Sequence, residues 1–118
     1  VLAGGQGTRL GFDGPKGCYN IGLPSQKPLF QLLAEKIRRL VAIAKEAGAT
    51  NARLPFLVMT SPINDRQSKA FFAEHKFFGL PEEDVWFFRQ GTFPCLTPEG
   101  KIILESAGTV AMAPDGNG

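Results

Sequence analysis

The stretch Val1-Leu2-Ala3-Gly4-Gly5-Gln6-Gly7-Thr8-Arg9-Leu10-Gly11, with Pro15-Lys16-Gly17 shortly after it, constrains this chain more than any other. Glycines at 4, 5, 7 and 11 keep side chains out of the way, so backbone N–H groups can turn inward and approach an anion closely. The apolar stub Val1-Leu2-Ala3 reads as the end of a buried parallel strand running into that loop. The loop then lies at a strand's carboxyl end, where open α/β sheets bind ligands. Arg9 and Lys16 supply charge. A guanidinium fork suits two phosphate oxygens at once, and an ammonium is a mobile point charge that follows charge developing at one phosphorus. The pattern is that of a polyphosphate cradle.

Two better-known glycine loops do not fit. A Walker loop needs Ser or Thr directly after its lysine, and here Gly17 and Cys18 follow Lys16. The dinucleotide fingerprint starts correctly at Gly5 and Gly7, but its third glycine falls on Leu10. Both of those loops also open straight into a helix, whereas this one continues through Gly14, Pro15, Gly17, Gly22 and Pro24. Loop amides and cations, not an adjoining helix dipole, are expected to hold the phosphate.

Downstream, Tyr19-Asn20-Ile21 suits a short extended segment. Pro28 suits a first helical position, and Leu29, Leu33, Ile37, Leu40, Val41, Ala44 and Ala47 recur at helical spacing, with Gly48 as the stop. Phe56 to Thr60 is predicted to be a second buried strand. Asn64 or Asp65 caps a helix to about His75 with Ala70, Phe71 and Phe72 inward. Pro81 to Asp84 forms a helical turn, and Val85 to Phe88 a third buried strand with Trp86 in the core. Strand, helix, strand, helix, strand implies an α/β fold with parallel pairing and right-handed crossovers. Thr92 to Leu96 and Lys101 to Glu105 are expected to form a small hairpin around Thr97-Pro98-Glu99-Gly100.

The formal charge of +2 gives no field suggesting a nucleic acid or an anionic membrane surface as partner, and no apolar run is long enough to span a bilayer. Two cysteines, Cys18 and Cys95, make neither a disulfide framework nor a metal cluster, and read as reduced thiols in a cytoplasmic setting. Cys18, near Lys16, reads as a bystander. His75 reads as a helix-end residue. Gln90 follows an apolar strand, so its amide either reads a base edge or closes a turn. Asp115-Gly116-Asn117-Gly118 by itself is a turn. Asp13 and Asp115 are the candidate metal ligands in view.

The opening loop resembles the signature of the sugar nucleotidyltransferases, and in detail that of the eukaryotic UDP-N-acetylhexosamine pyrophosphorylases. Further strings are similar: Gly22-Leu23-Pro24-Ser25, Met59-Thr60-Ser61, His75 to Leu80, Gln90-Gly91, Gly100 to Glu105 and Ala113 to Gly118. The related UDP-glucose pyrophosphorylases usually show Gly-Gly-Leu-Gly-Thr-Thr in the loop, so Gln6 and Arg9 favour the N-acetylhexosamine branch. The resemblance implies a Rossmann-like, doubly wound, mainly parallel sheet with flanking helices. Residues 1–118 would be the N-terminal part of the catalytic domain, truncated at both ends and inactive alone. It implies UTP and N-acetylglucosamine 1-phosphate as substrates, UDP-N-acetylglucosamine and pyrophosphate as products, and Mg²⁺ as cofactor.

By the same resemblance, Leu2, Ala3, Gly4 and Gly5 hold the nucleotide through their backbone, Arg9 grips the triphosphate and Lys16 stabilises the reacting phosphate. Gln90 and Gly116 meet the base or ribose, and Asn117 meets the sugar. The family's metal aspartate is expected beyond residue 118, leaving no metal ligand in this stretch. A UDP-sugar or UDP-glucose pyrophosphorylase is the alternative enzyme, and a non-catalytic nucleotide-binding module the alternative of another kind.

Overall fold

The computed structural model describes residues 1–115. Its regular elements are α1 (Leu29–Glu46), β1 (Phe56–Thr60), α2 (Asp65–Glu74), β2 (Val85–Arg89), β3 (Thr92–Pro94), β4 (Leu104–Ser106), β5 (Thr109–Val110) and β6 (Met112–Pro114). β1 and β2 pair in parallel, Phe56 beside Val85 through Thr60 beside Arg89. The Val1–Ala3 stub adds to the other edge of β1. Leu2 bridges Met59 in parallel, Ala3 N–H donates to the Met59 carbonyl (2.7 Å), and Met59 N–H donates to that of Val1 (2.9 Å). The order of this α/β unit is therefore stub, β1, β2, as the alternation of elements predicts.

Phe72 sits at the middle of the core. It is fully buried, with ring centroids 4.9 Å from Phe30, 5.2 Å from Phe78 and 5.2 Å from Phe87. The helices thus meet on the sheet face that carries Phe56, Val58, Val85 and Phe87. Burying side chains of this size, each contributing roughly 1.5–3 kcal/mol, is what holds the layers together.

Several expectations are corrected here. The fully buried residues of α1 are Phe30 and Ala34, which the predicted stripe leaves out; Leu33 and Ile37 of that stripe do pack against the core, partly buried, while Leu40 is exposed. Pro28 stands at the N-cap, one place before the helix. On α2, Phe72 is buried and Ala70 exposed. β2 is not buried on both faces: Trp86 is 60% and Phe88 50% exposed. Successive strand side chains alternate between faces, and the two helices lie on the opposite one, which also leaves Leu2 and Leu57 exposed.

The predicted hairpin is built differently. Leu96 and Ile102 do bridge around the turn, where Thr97 N–H donates to the Lys101 carbonyl (2.8 Å). A second turn at Ala107-Gly108 then pairs β4 with β5 and sends the chain back, so that β6 takes β3 as its antiparallel partner. Tyr19 to Ile21 runs as expected into a short bridge, Asn20 with Pro28.

Candidate functional site

The glycine loop folds as two arms. Gly7 N–H donates to the Gly14 carbonyl (2.8 Å) and Lys16 N–H to that of Gly5 (3.1 Å), so Gln6 and Pro15 lie side by side. This returns Lys16 to the strand end after a detour through residues 8–13. Arg9 lies in the single 3-10 turn Thr8–Leu10 that joins the arms, and it is exposed, as is Lys16. Neither forms an ion pair with a described residue. Two uncommitted cations on an open loop are electrostatically available to a polyanion.

Predicted site residues meet at two points. A Cβ on Gly4 would run into the Gln90 amide, with Cδ 2.6 Å and Nε2 2.8 Å away. Only glycine lets that amide lie across the backbone. A Cβ on Gly5 would meet nothing within 4 Å except Lys16 Cε, at 4.0 Å, so the space beside the Lys16 stem is open. Leu2, Ala3, Gly5 and Lys16 line a cleft of about 750 Å³ together with Leu29 and Leu33 of α1. Leu2 is held to β1 by its neighbours' hydrogen bonds, which turn its own N–H and C=O to the other edge. Gly116 and Asn117 lie outside the described residues.

Gln90 is fixed by two devices that the sequence reading did not find. Its N–H donates to the Thr60 carbonyl (2.8 Å) at the end of β1. Its neighbour Arg89 is held by Asp65, through Nε at 3.1 Å and Nη2 at 3.0 Å from Oδ2. Asp65 is 4% exposed and also accepts from Thr60 Oγ1 (2.7 Å) and Lys69 Nζ (2.9 Å). Burial pushes its pKa up, but the hydrogen bonds from Thr60, Lys69 and Arg89 outweigh burial and hold the carboxyl below the usual range.

Asn64 precedes α2, yet its side chain makes no cap on that helix. Its Oδ1 accepts from Ser61 N–H (2.9 Å), while its Nδ2 donates to the carbonyls of Ala3 (2.9 Å) and Gly5 (3.2 Å). The expected Asn64 cap is thus replaced by a tie to the glycine loop. The available signal was position: polar residues just after a buried strand's carboxyl end face loop carbonyls that need donors.

Cys18 is half-buried, and desolvation pushes its thiol up to about 11, so Lys16 does not activate it. His75 ends α2 with Nδ1 2.8 Å from the Phe71 carbonyl and its ring stacked near Phe71. Among the described residues no three or more His, Cys, Asp or Glu stand together to hold a metal. None of the described helices is long and apolar enough to cross a membrane.

The chain is similar to known proteins in sequence and in fold. The chain is 49% identical over 122 residues to "UDP-N-acetylglucosamine diphosphorylase 1" of Arabidopsis thaliana, covering all of this chain and 24% of that protein. It is 52% identical over 118 residues to "UDP-N-acetylhexosamine pyrophosphorylase-like protein 1" of Homo sapiens, covering all of this chain and 23% of that one. The crystal structure of the uridine diphosphate N-acetylglucosamine pyrophosphorylase from Trypanosoma brucei, in complex with an inhibitor, superposes with a TM-score of 0.89 at 47% identity. That match covers 97% of this chain and 23% of that one. The chain thus spans about a quarter of the length of the relatives it matches. The profile of the family described as UTP--glucose-1-phosphate uridylyltransferase matches residues 1–118 in full, and the chain belongs to that family.

Proposed function

We propose that residues 1–118 are the N-terminal, nucleotide-binding part of the catalytic domain of a longer enzyme. That enzyme is a uridylyltransferase joining UTP and N-acetylglucosamine 1-phosphate into UDP-N-acetylglucosamine and pyrophosphate. The observation that carries this reading is the convergence at one strand end of Gly4 under the Gln90 amide and Gly5 beside the Lys16 stem. The names of relatives 44–52% identical to this chain support the N-acetyl sugar.

In the reaction a phosphate oxygen of the sugar 1-phosphate attacks the α-phosphorus of UTP, and the bond from that phosphorus to the bridging oxygen breaks with pyrophosphate leaving. No protein nucleophile is required. The chain's task is to position the reactants and stabilise anionic charge. Backbone groups of Leu2, Ala3, Gly4 and Gly5 hold the nucleotide, and Arg9 binds the triphosphate by its fork. Lys16, tied to Gly5 through its own N–H, places its ammonium at the reacting phosphate. The Gln90 amide, donor and acceptor together, meets the edge of uracil. Gly116 is assigned to the nucleotide and Asn117 to the sugar.

Mg²⁺ is proposed as the cofactor of the full-length enzyme, with ligands outside the described residues. The sheet is read as Rossmann-like and doubly wound, its second helical layer supplied by further chain over the face that bears Leu57, Trp86 and Phe88. The two free cysteines fit a cytoplasmic enzyme.

The family description favours a second reading, in which glucose 1-phosphate is the acceptor. The catalytic assignment is tested with Lys16→Ala in the full-length enzyme. Loss of one such charge-stabilising group is expected to lower kcat by roughly 10²-fold or more with folding intact. Unchanged turnover by the folded variant overturns the role given to Lys16.

A further inference from the structure

Asn64 touches neither arm of the loop in sequence, yet it is the one fully buried side chain bonded to both Ala3 and Gly5. Its orientation is unambiguous. Two carbonyls can be met only by an amide NH₂, and the remaining Oδ1 is taken by Ser61 N–H at 2.9 Å. Serine, aspartate or threonine would cap a helix as well as asparagine, but none presents two donors and an acceptor at once.

The consequence for the loop follows from peptide geometry. A trans peptide points its C=O and the following N–H in opposite directions. Holding the Ala3 carbonyl against Asn64 turns the Gly4 N–H to the far side, and holding the Gly5 carbonyl does the same for the Gln6 N–H. Neither amide donates to a backbone acceptor among the described residues. The Gly5 carbonyl also accepts from Lys16 N–H, so a single oxygen joins Asn64, the glycine loop and the lysine. Ser61, which anchors the other end of the Asn64 amide, is 4% exposed and lies directly after β1. The whole device is therefore referred to a rigid strand.

We propose that Asn64 is a positioning residue for nucleotide binding: by fixing the Ala3 and Gly5 peptides it aims the Gly4 and Gln6 amides, and the Lys16 arm, at the triphosphate. This rests on the UTP-binding reading given above. Asn64 acts through the loop and does not itself touch the nucleotide. Its removal acts on UTP affinity and leaves the sugar phosphate alone.

The test uses the full-length enzyme with Asn64→Asp and Asn64→Ser, each first checked for native circular dichroism. Aspartate keeps the Ser61 acceptor and the shape but sets an oxygen against two carbonyls. The dissociation constant for UTP is expected to rise about tenfold or more in Asn64→Asp, as the loss of a buried donor with two acceptors implies. Asn64→Ser, with one shorter donor, falls between it and the wild type. The KM for the sugar 1-phosphate stays within about twofold in both. A merely structural asparagine would lower the melting temperature without moving the UTP dissociation constant, and that result in whichever variant folds overturns the proposal. A wild-type enzyme that binds no UTP overturns the functional reading and this proposal with it. A wild-type enzyme that binds, beside folded variants that bind equally well, overturns this proposal alone.

Discussion

The ring of Phe30 lies against the α-carbon of Gly17, in the space that a Cβ there would fill. Phe30 is fully buried and cannot retreat into solvent, so α1 is seated directly on the residue after Lys16. Gly17→Ala is therefore expected to destabilise the full-length enzyme by about 1–3 kcal/mol, the usual cost of overpacking a filled core. It should also weaken UTP binding, because relief of the clash moves the Lys16 arm. Thermal unfolding and UTP titration check this; a variant with wild-type melting temperature and affinity contradicts it.

Gly4 and Gln90 form the second close pair, and their coupling is measurable. Gly4→Ala displaces the Gln90 amide, so it should raise the KM for UTP and blur discrimination between UTP and other nucleoside triphosphates. In a Gln90→Ala background the added methyl meets less, and its further effect on discrimination should be small. Non-additivity of about 0.5–3 kcal/mol in the double-mutant cycle is expected for groups in contact. Strict additivity would mean that the amide does not read the base across Gly4.

The ionised Asp65 carboxylate holds Thr60, Lys69 and Arg89, and its pKa is lowered in the folded chain. A depressed folded pKa contributes stability that is present above the unfolded value, about 3.9, and is lost as pH falls through the folded value. The stability advantage of the wild type over Asp65→Asn should hold steady above about pH 5 and shrink on acidification below about pH 4. Melting temperatures of both proteins across that range check the sign. An advantage that grows on acidification contradicts it.

Cys18 should be inert while the protein is folded. With its pKa near 11, the reactive thiolate is about one part in a thousand at pH 8. Iodoacetamide labelling followed by mass spectrometry should find Cys18 slow in the native protein, faster with rising pH, and fast once the protein is unfolded in urea. Rapid native labelling at pH 7 would mean that Lys16 activates the thiol after all.

How much of this was legible in the sequence depended on whether a feature is local. The loop's use of glycine, its flanking cations Arg9 and Lys16 and the strand-end place of Gln90 follow from spacing and chain order, while the return of Lys16 to Gly5 does not. The parallel pairing of the strands follows from alternating elements. The depth of Phe30 and Ala34 on α1 did not, because the stripe of Leu33 and Ile37 already accounts for a helix face, and Phe30 goes deepest where Gly17 leaves room for its ring. Trp86 and Phe88 were expected inside because an unbroken apolar strand suits two covered faces, whereas both described helices lie on one. Asn64 and Asp65 read as caps. Thr60 is a near neighbour of Asp65, but Ala3, Gly5 and Arg89 are brought by the parallel pairing from distant stretches of the chain, and the one local hint is that these polar residues follow a buried strand's carboxyl end.

The most direct measurement is pyrophosphate release by the full-length enzyme given UTP and Mg²⁺, with N-acetylglucosamine 1-phosphate and glucose 1-phosphate supplied in turn. Faster release with the N-acetyl sugar, measured as kcat/KM, is the predicted result. Preference for glucose 1-phosphate would contradict the assigned substrate, and UTP binding without release from either sugar would contradict the assigned catalysis.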